Sequence, residues 1–216
     1  MNYKTTKNTI SIGTQIHDEK ISQAKTYLKN QFGNKYDIDP HFNFVIMAMP
    51  EYRLKDVETL LDAYFGSKSA IHLDLGELHY EPKTKFFSIP IIGETVMVIH
   101  KELLDILNTI RDGYIRDKDL IRINEGRTDK EEEKYIKDYG YLRVLNKFMP
   151  HITIGNIQST NEFDLDDVSK KLNAILGALY KQSISFNRVH AYFFEDADIQ
   201  SDYKLFWEKD YILAEK

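Results

Sequence analysis

Residues 39–45 read Asp39-Pro40-His41-Phe42-Asn43-Phe44-Val45, and residues 149–155 read Met149-Pro150-His151-Ile152-Thr153-Ile154-Gly155. Each stretch places a proline before a histidine, an apolar residue after it, a small hydrogen-bonding residue two positions on, and then another apolar residue. This is strand patterning, in which successive side chains point to opposite faces. His41 and Asn43 are expected on one face, with Phe42, Phe44 and Ile46 on the other. His151 and Thr153 are expected together, with Ile152 and Ile154 opposite. The apolar faces should bury against helices, while the polar faces need water or a ligand. Two such strands side by side would make a groove with two imidazoles and two small polar groups.

Working outward, Thr9–Ile16 alternates as a strand. Asp18 then opens a helix whose apolar positions Ile21, Ala24, Tyr27 and Leu28 recur at helical spacing, and Gly33 closes it. The first histidine strand runs to Met49 and ends at Pro50. Leu54–Phe65 reads as a helix ended by Gly66. Ile71–Tyr80 and Lys85–Ile92 read as a hairpin turning at Pro82–Thr84. Val98–Ile110 follows as a helix, and Phe148–Ile157 as the second histidine strand. Leu165–Tyr180 reads as an amphipathic helix capped by Asp164. Ser183–Phe194 reads as one long strand, and Tyr203–Leu213 as a final edge strand. Asp112–Gly140 stands apart, with nine acids and seven bases in 29 residues. The plain expectation is a solvated excursion carrying one charged helix. The sharper alternative is a lid, since long inserts in compact domains are often functional.

Composition narrows the chemistry. The chain has 216 residues, 42 % hydrophobic and 12 % aromatic, which suits one domain with a sizeable core. Its 34 acids outnumber 29 bases, for a net charge of −5, so a protein that coats long duplex nucleic acid is not expected. It contains no cysteine, which excludes disulfides, thiolate nucleophiles, zinc–thiolate sites and iron–sulfur clusters. No apolar run approaches the roughly 20 residues needed to cross a bilayer, and the first residues lack a signal-peptide pattern. The expectations are a cytoplasmic protein, no membrane association and a monomer.

The paired strands suit phosphodiester chemistry. That reaction needs a base to take a proton from water or a hydroxyl and an acid to protonate the leaving oxygen. Imidazole titrates near neutrality and can do either. Thr153 and Asn43 could donate hydrogen bonds to non-bridging oxygens, where charge builds in the transition state. Of the seven histidines, His17, His72, His79, His100 and His190 carry no such pattern. None has metal-ligand spacing such as His-Glu-x-x-His, so no metal and no cofactor are expected. Tyr141, Arg143 and Lys147, just before the second motif, are further candidate substrate contacts. Tyr139, Phe206 and Trp207 are more simply read as packing residues.

On these two motifs the chain resembles the two-histidine (2H) phosphoesterases. The stretch from Lys147 to Ile154 is similar to the second motif of their 2′,5′-RNA-ligase-like and cyclic phosphodiesterase (LigT-like) branch. The likeness extends over most of the chain as element order, but as residues only over the two motifs. It implies an α+β fold of two pseudo-symmetric βα lobes, with antiparallel sheets flanking a central cleft and helices outside. The lobes would be roughly 1–80 plus the C-terminal strands, and 84–194, with the charged insert at 112–140. It implies His41 and His151 as the catalytic acid–base pair and Thr153 as a phosphate ligand, with Asn43 in the matching position. The implied activity is hydrolysis of a 2′,3′-cyclic phosphate or a 2′,5′-phosphodiester of a nucleotide or short RNA end. The family has Thr or Ser two residues after the first histidine, where this chain has Asn43. An amide can donate to phosphate but supplies no hydroxyl. A weakly active or inactive nucleotide-binding module using the same cleft is the alternative reading.

Overall fold

A computed structural model describes residues 3–33, 39–158, 162–179, 182–195 and 204–215. The chain starts with a short strand, β1 (Thr5–Thr6), then β2 (Asn8–Gln15), helix α1 (Glu19–Phe32) and β3 (His41–Ala48). Helix α2 (Leu54–Phe65), β4 (Ile71–Leu75), β5 (His79–Glu81), β6 (Phe86–Ile92) and α3 (Glu94–Asn108) follow. The charged segment holds β7 (Ile115–Arg116), α4 (Asp117–Asn124) and α5 (Lys130–Tyr139). The rest is β8 (His151–Asn156), α6 (Leu165–Leu176), β9 (Ser183–Phe186), β10 (Arg188–Glu195) and β11 (Lys204–Ile212). Tyr180 and Tyr203, expected ends of the last helix and strand, lie outside the described residues.

Two antiparallel sheets carry the molecule. The first has the order β11-β10-β2-β3. In the second, β6 is central, with β8 on one edge and both β4 and β5 on the other, and β9 beyond β4. Helix α1 packs on α6 and β8, and α3 packs on β3 and β4. The apolar faces of both histidine strands feed one continuous core: Phe42, Phe44, Ile152 and Ile154 are at most 1 % exposed. The rings of Phe42 and Phe44 meet edge to face at 4.7 Å, and Phe42 also touches Phe186 of β9 at 5.8 Å. Aromatic pairs of this kind add about 0.5–1.5 kcal/mol beyond area burial. The second of these links the two sheets.

Several expected elements are divided. The strand read over 71–80 breaks at Gly76, whose N–H donates to Pro90 O at 2.8 Å, and both pieces stay on one edge of β6. The strand read over 183–194 breaks at Asn187: β9 pairs with β4 in the second sheet, and β10 with β2 in the first. Strands β4 and β5 thus belong with the second sheet and β10 with the first, which moves the expected lobe boundaries. The helix read from Val98 begins at Glu94, after Gly93 at φ 106°.

The charged segment is no solvated excursion. It holds two helices rather than one, and β7 pairs in parallel with β1. Arg116 and Asp119 within it are 3 % and 0 % exposed, and Arg111, just before it, is 3 % exposed. Arg116 Nε donates to Asp119 Oδ2 at 2.6 Å, and Arg122 donates to the other carboxylate oxygen at 2.8 Å. Arg111 donates to Lys137 O and Asp138 O, carbonyls that the end of α5 would otherwise leave unpaired. Among the described residues, no helix is long and apolar enough to cross a membrane.

Candidate active site

Strands β3 and β8 lie side by side without sharing hydrogen bonds, and each pairs with its own neighbour, β2 or β6. Both carry a bulge at the same place. On β3, Gly13 faces Asn43 and Ile12 faces Val45, so Phe44 is the extra residue. On β8, Ser88 faces Thr153 and Phe87 faces Gly155, so Ile154 is the extra residue. In each strand the bulge falls three residues after the histidine. A bulge shifts the phase of the alternation. Ile46, expected with Phe42 and Phe44, therefore turns out beside His41 and Asn43 and lines the cleft.

The two histidines are held alike. His41 Nδ1 lies 2.8 Å from Asp39 O, and His151 Nδ1 lies 2.8 Å from Met149 O. A carbonyl only accepts, so Nδ1 carries the hydrogen in both rings and leaves Nε2 for chemistry. Both carbonyls lie two residues upstream, across the proline that the two motifs share. Burial lowers the pKa of His151, opposed by the Met149 carbonyl. The positive charges of Arg143, His41 and His79 also push it down.

A cavity of about 110 Å³ lies between the strands. His41, Asn43, His151, Thr153, Tyr141 and Arg143 all line it, with Phe148 and Met149. Lys147 is not among the lining residues: its ammonium sits 2.7 Å from Asp129 Oδ2 on the charged segment. That segment holds the loop beside the cavity at further points. Tyr135 Oη donates to Asn146 Oδ1 at 2.6 Å, and Asn146 Nδ2 donates to Glu131 at 2.8 Å. The guanidinium of Arg116 lies 4.4 Å from the Tyr141 ring centre. The segment is therefore a scaffold for one wall of the cavity.

Three features escaped the sequence. Ser11 Oγ donates to Asn43 Oδ1 at 2.8 Å, which turns the amide –NH2 of Asn43 away from β2. Gly13 permits this arrangement, since a Cβ there would lie 2.1 Å from Phe42 O and 2.8 Å from Asn43 Oδ1. His100, read only as a helix residue, is buried. Its Nδ1 donates to the carbonyl of the bulged Phe44 at 2.6 Å, and its Nε2 accepts from Leu145 N at 3.0 Å. Burial lowers its pKa, and its ring stacks on Phe148 at 3.7 Å. It is a neutral tie between the first histidine strand and the loop leading to the second. His79 shares a row with Ser88 and Thr153 across β5, β6 and β8, as His190 does with Gly13 and Asn43 across β10, β2 and β3. These rows depend on strand register, which no single-strand motif reveals. Among the described residues, no group of three or more His, Asp or Glu side chains is placed to hold a metal ion.

No family model and no curated protein matches the sequence. Solved structures do match. TT0787 of Thermus thermophilus is 12 % identical with a TM-score of 0.55, over 94 % of this chain and 97 % of that one. A structure described as a phosphoesterase is 10 % identical with a TM-score of 0.54, over 96 % and 98 %. LigT of E. coli in apo form is 8 % identical with a TM-score of 0.52, over 96 % and 98 %. LigT complexed with NADP+ gives 9 % and 0.50 over the same shares. At identities this low, what is shared over nearly the whole of each chain is the architecture. The chain has the LigT-like fold, a mixed α/β arrangement built on antiparallel sheets.

Proposed function

We propose that the chain is a 2H phosphoesterase that hydrolyses a phosphodiester of a nucleotide or RNA end, a 2′,3′-cyclic phosphate or a 2′,5′-linkage, without a metal. The observation that carries this reading is the matched pair of histidines. Both have Nδ1 tied to a backbone carbonyl, both line one cavity, and each is followed two residues later by a polar side chain that lines it too. The LigT-like fold supports it, and the LigT–NADP+ complex supports a nucleotide as the ligand class.

The chemistry follows from the tautomers. A neutral imidazole takes a proton from water through Nε2 as the new O–P bond forms. A protonated imidazole gives its proton through Nε2 to the ribose oxygen as the old P–O bond breaks. The product is a phosphomonoester, and the two histidines exchange protonation states. Burial that disfavours the imidazolium suits His151 to the base role, which leaves the acid role to His41. The Asn43 amide and the Thr153 hydroxyl donate to the non-bridging oxygens, and Arg143 adds positive charge on the His151 side.

The test is turnover of 2′,3′-cyclic nucleotides and 2′,5′-linked dinucleotides in EDTA. Activity that survives chelation and falls about 10²–10⁴-fold in His151→Ala is the expected result. Loss on chelation, or an active His151→Ala enzyme, would sink the mechanism. Asn43 favours a second reading, a binding module with little turnover. Nucleotide affinity in the micromolar range with no turnover in wild type, and turnover appearing in Asn43→Thr, would select it.

A further inference from the structure

His100 sits on α3, 1 % exposed, where that helix packs on β3. Its ring makes three contacts at once. Nδ1 donates to Phe44 O at 2.6 Å, and Nε2 accepts from Leu145 N at 3.0 Å. The ring face lies parallel to that of Phe148, 4° apart with centres at 3.7 Å. A neutral imidazole supplies a donor, an acceptor and a flat face in one small ring. Burial disfavours the imidazolium and keeps the ring in that form.

Each hydrogen bond meets a need of the backbone. The register of β3 against β2 pairs no residue with Phe44, so the bulge leaves it out of the ladder, and His100 gives its carbonyl a donor. Leu145 holds φ 52°, in the left-handed region that a residue with a Cβ adopts only where its surroundings hold it. Its N–H is fixed by His100, and it opens the turn Leu145–Lys147.

The groups beside these contacts are those of the proposed chemistry. Asn43 directly precedes Phe44, and Arg143 lies two residues before Leu145. Met149, whose carbonyl holds the hydrogen of His151 on Nδ1, directly follows Phe148. The charged segment grips this loop from outside, through Asn146 and Lys147. His100 grips it from inside, and only through the inner contact is the loop tied to the bulge of β3 by one side chain.

We infer that His100 is a positioning residue of the reaction: by joining the bulge of β3 to the loop before β8, it keeps the Met149 carbonyl on His151 and sets the two motifs against each other across the cavity. Both of its ring nitrogens are engaged by backbone groups, so it exchanges no proton with substrate. The inference rests on the phosphoesterase reading for turnover alone, since the state of His151 can be read without substrate.

Two amide variants and a tautomer measurement test this. His100→Asn can still donate to Phe44 O but is too short to reach Leu145 N as well. His100→Gln is longer and keeps a donor and an acceptor. Nitrogen NMR of the imidazoles at alkaline pH, where imidazole is neutral, reads which nitrogen carries the hydrogen. Wild type should show Nδ1–H in both His41 and His151. His100→Asn should leave His41 as it is and give His151 a mixture of tautomers. Its kcat per folded molecule should fall about 10- to 100-fold, with KM changed far less. His100→Gln should restore a single tautomer and most of kcat. Phe148→Leu, at a half-buried position, removes the stacked ring and should also mix the His151 tautomers, which keeps the test alive if His100→Asn does not fold. A single Nδ1–H tautomer at His151 in the variants that fold, wild-type kcat in a merely less stable His100→Asn protein, or no recovery in His100→Gln would overturn the inference. Mixed tautomers in the variants of a protein that shows no turnover would keep the positioning role and refute the phosphoesterase reading. Turnover in wild type with His151 unmoved by the variants would do the reverse.

Discussion

Each histidine is one hydrogen bond away from being ambiguous. Without the Asp39 and Met149 carbonyls the two tautomers would compete, and many of the rings would present the wrong nitrogen. Because burial lowers the pKa of His151 below the ordinary 6.5, that ring stays neutral to more acidic pH. If His151 is the base, the acidic limb of kcat/KM lies below pH 6.5, and activity falls only as pH drops through the lowered value. A pH–rate profile checks this, and an acidic limb above 6.5 would exclude His151 as the base. Asn43 and Thr153 are placed as donors, so Asn43→Ala and Thr153→Ala should each cost on the order of 10² in kcat. Ser11→Ala should act through Asn43, with Asn43→Ala adding little further loss once Ser11 is gone. The motif histidines were legible because their chemistry and spacing lie within seven residues of sequence. Ser11 was not, because its partner lies across a strand pair whose register only the fold sets.

At the scale of elements, the bulges and the charged segment do most to shape the site. A bulge adds one residue, and no pattern of apolar and polar residues distinguishes it from a change of face. The placement of Ile46 was therefore misread although the strand itself was recognised. The charged segment misled in another way: 16 charges in 29 residues suggest solvent, yet Arg116 and Asp119 within it are buried and paired with each other. Removing one member of a buried ion pair leaves an uncompensated charge and typically costs about 3–5 kcal/mol. Asp119→Ala, which takes the carboxylate from buried Arg116, should lose that much in denaturant unfolding. The same change should also raise KM, because Arg116 backs Tyr141 on the cavity wall. A loss below about 1 kcal/mol would show that the segment is a detachable excursion after all.

Across the whole molecule, the order of elements could be read from the sequence and the pairing of sheets could not. Alternation and capping residues place strands and helices, as Asp18 and Asp164 do by accepting the N–H groups of the turns they open. They do not say that 183–194 passes from one sheet to the other at Asn187, or that His100 ties the bulge of β3 to the loop before β8. These long-range facts bring two motifs about a hundred residues apart into one cavity, and the central claim is that the two histidines work there as a unit. Groups that act as a unit show non-additive losses. The most direct test is kcat on a 2′,3′-cyclic nucleotide for His41→Ala, His151→Ala and the double variant. The account predicts a loss of about 10²-fold or more in each single variant and little further loss in the double. Either single variant near wild type, or losses that multiply in the double, would contradict it.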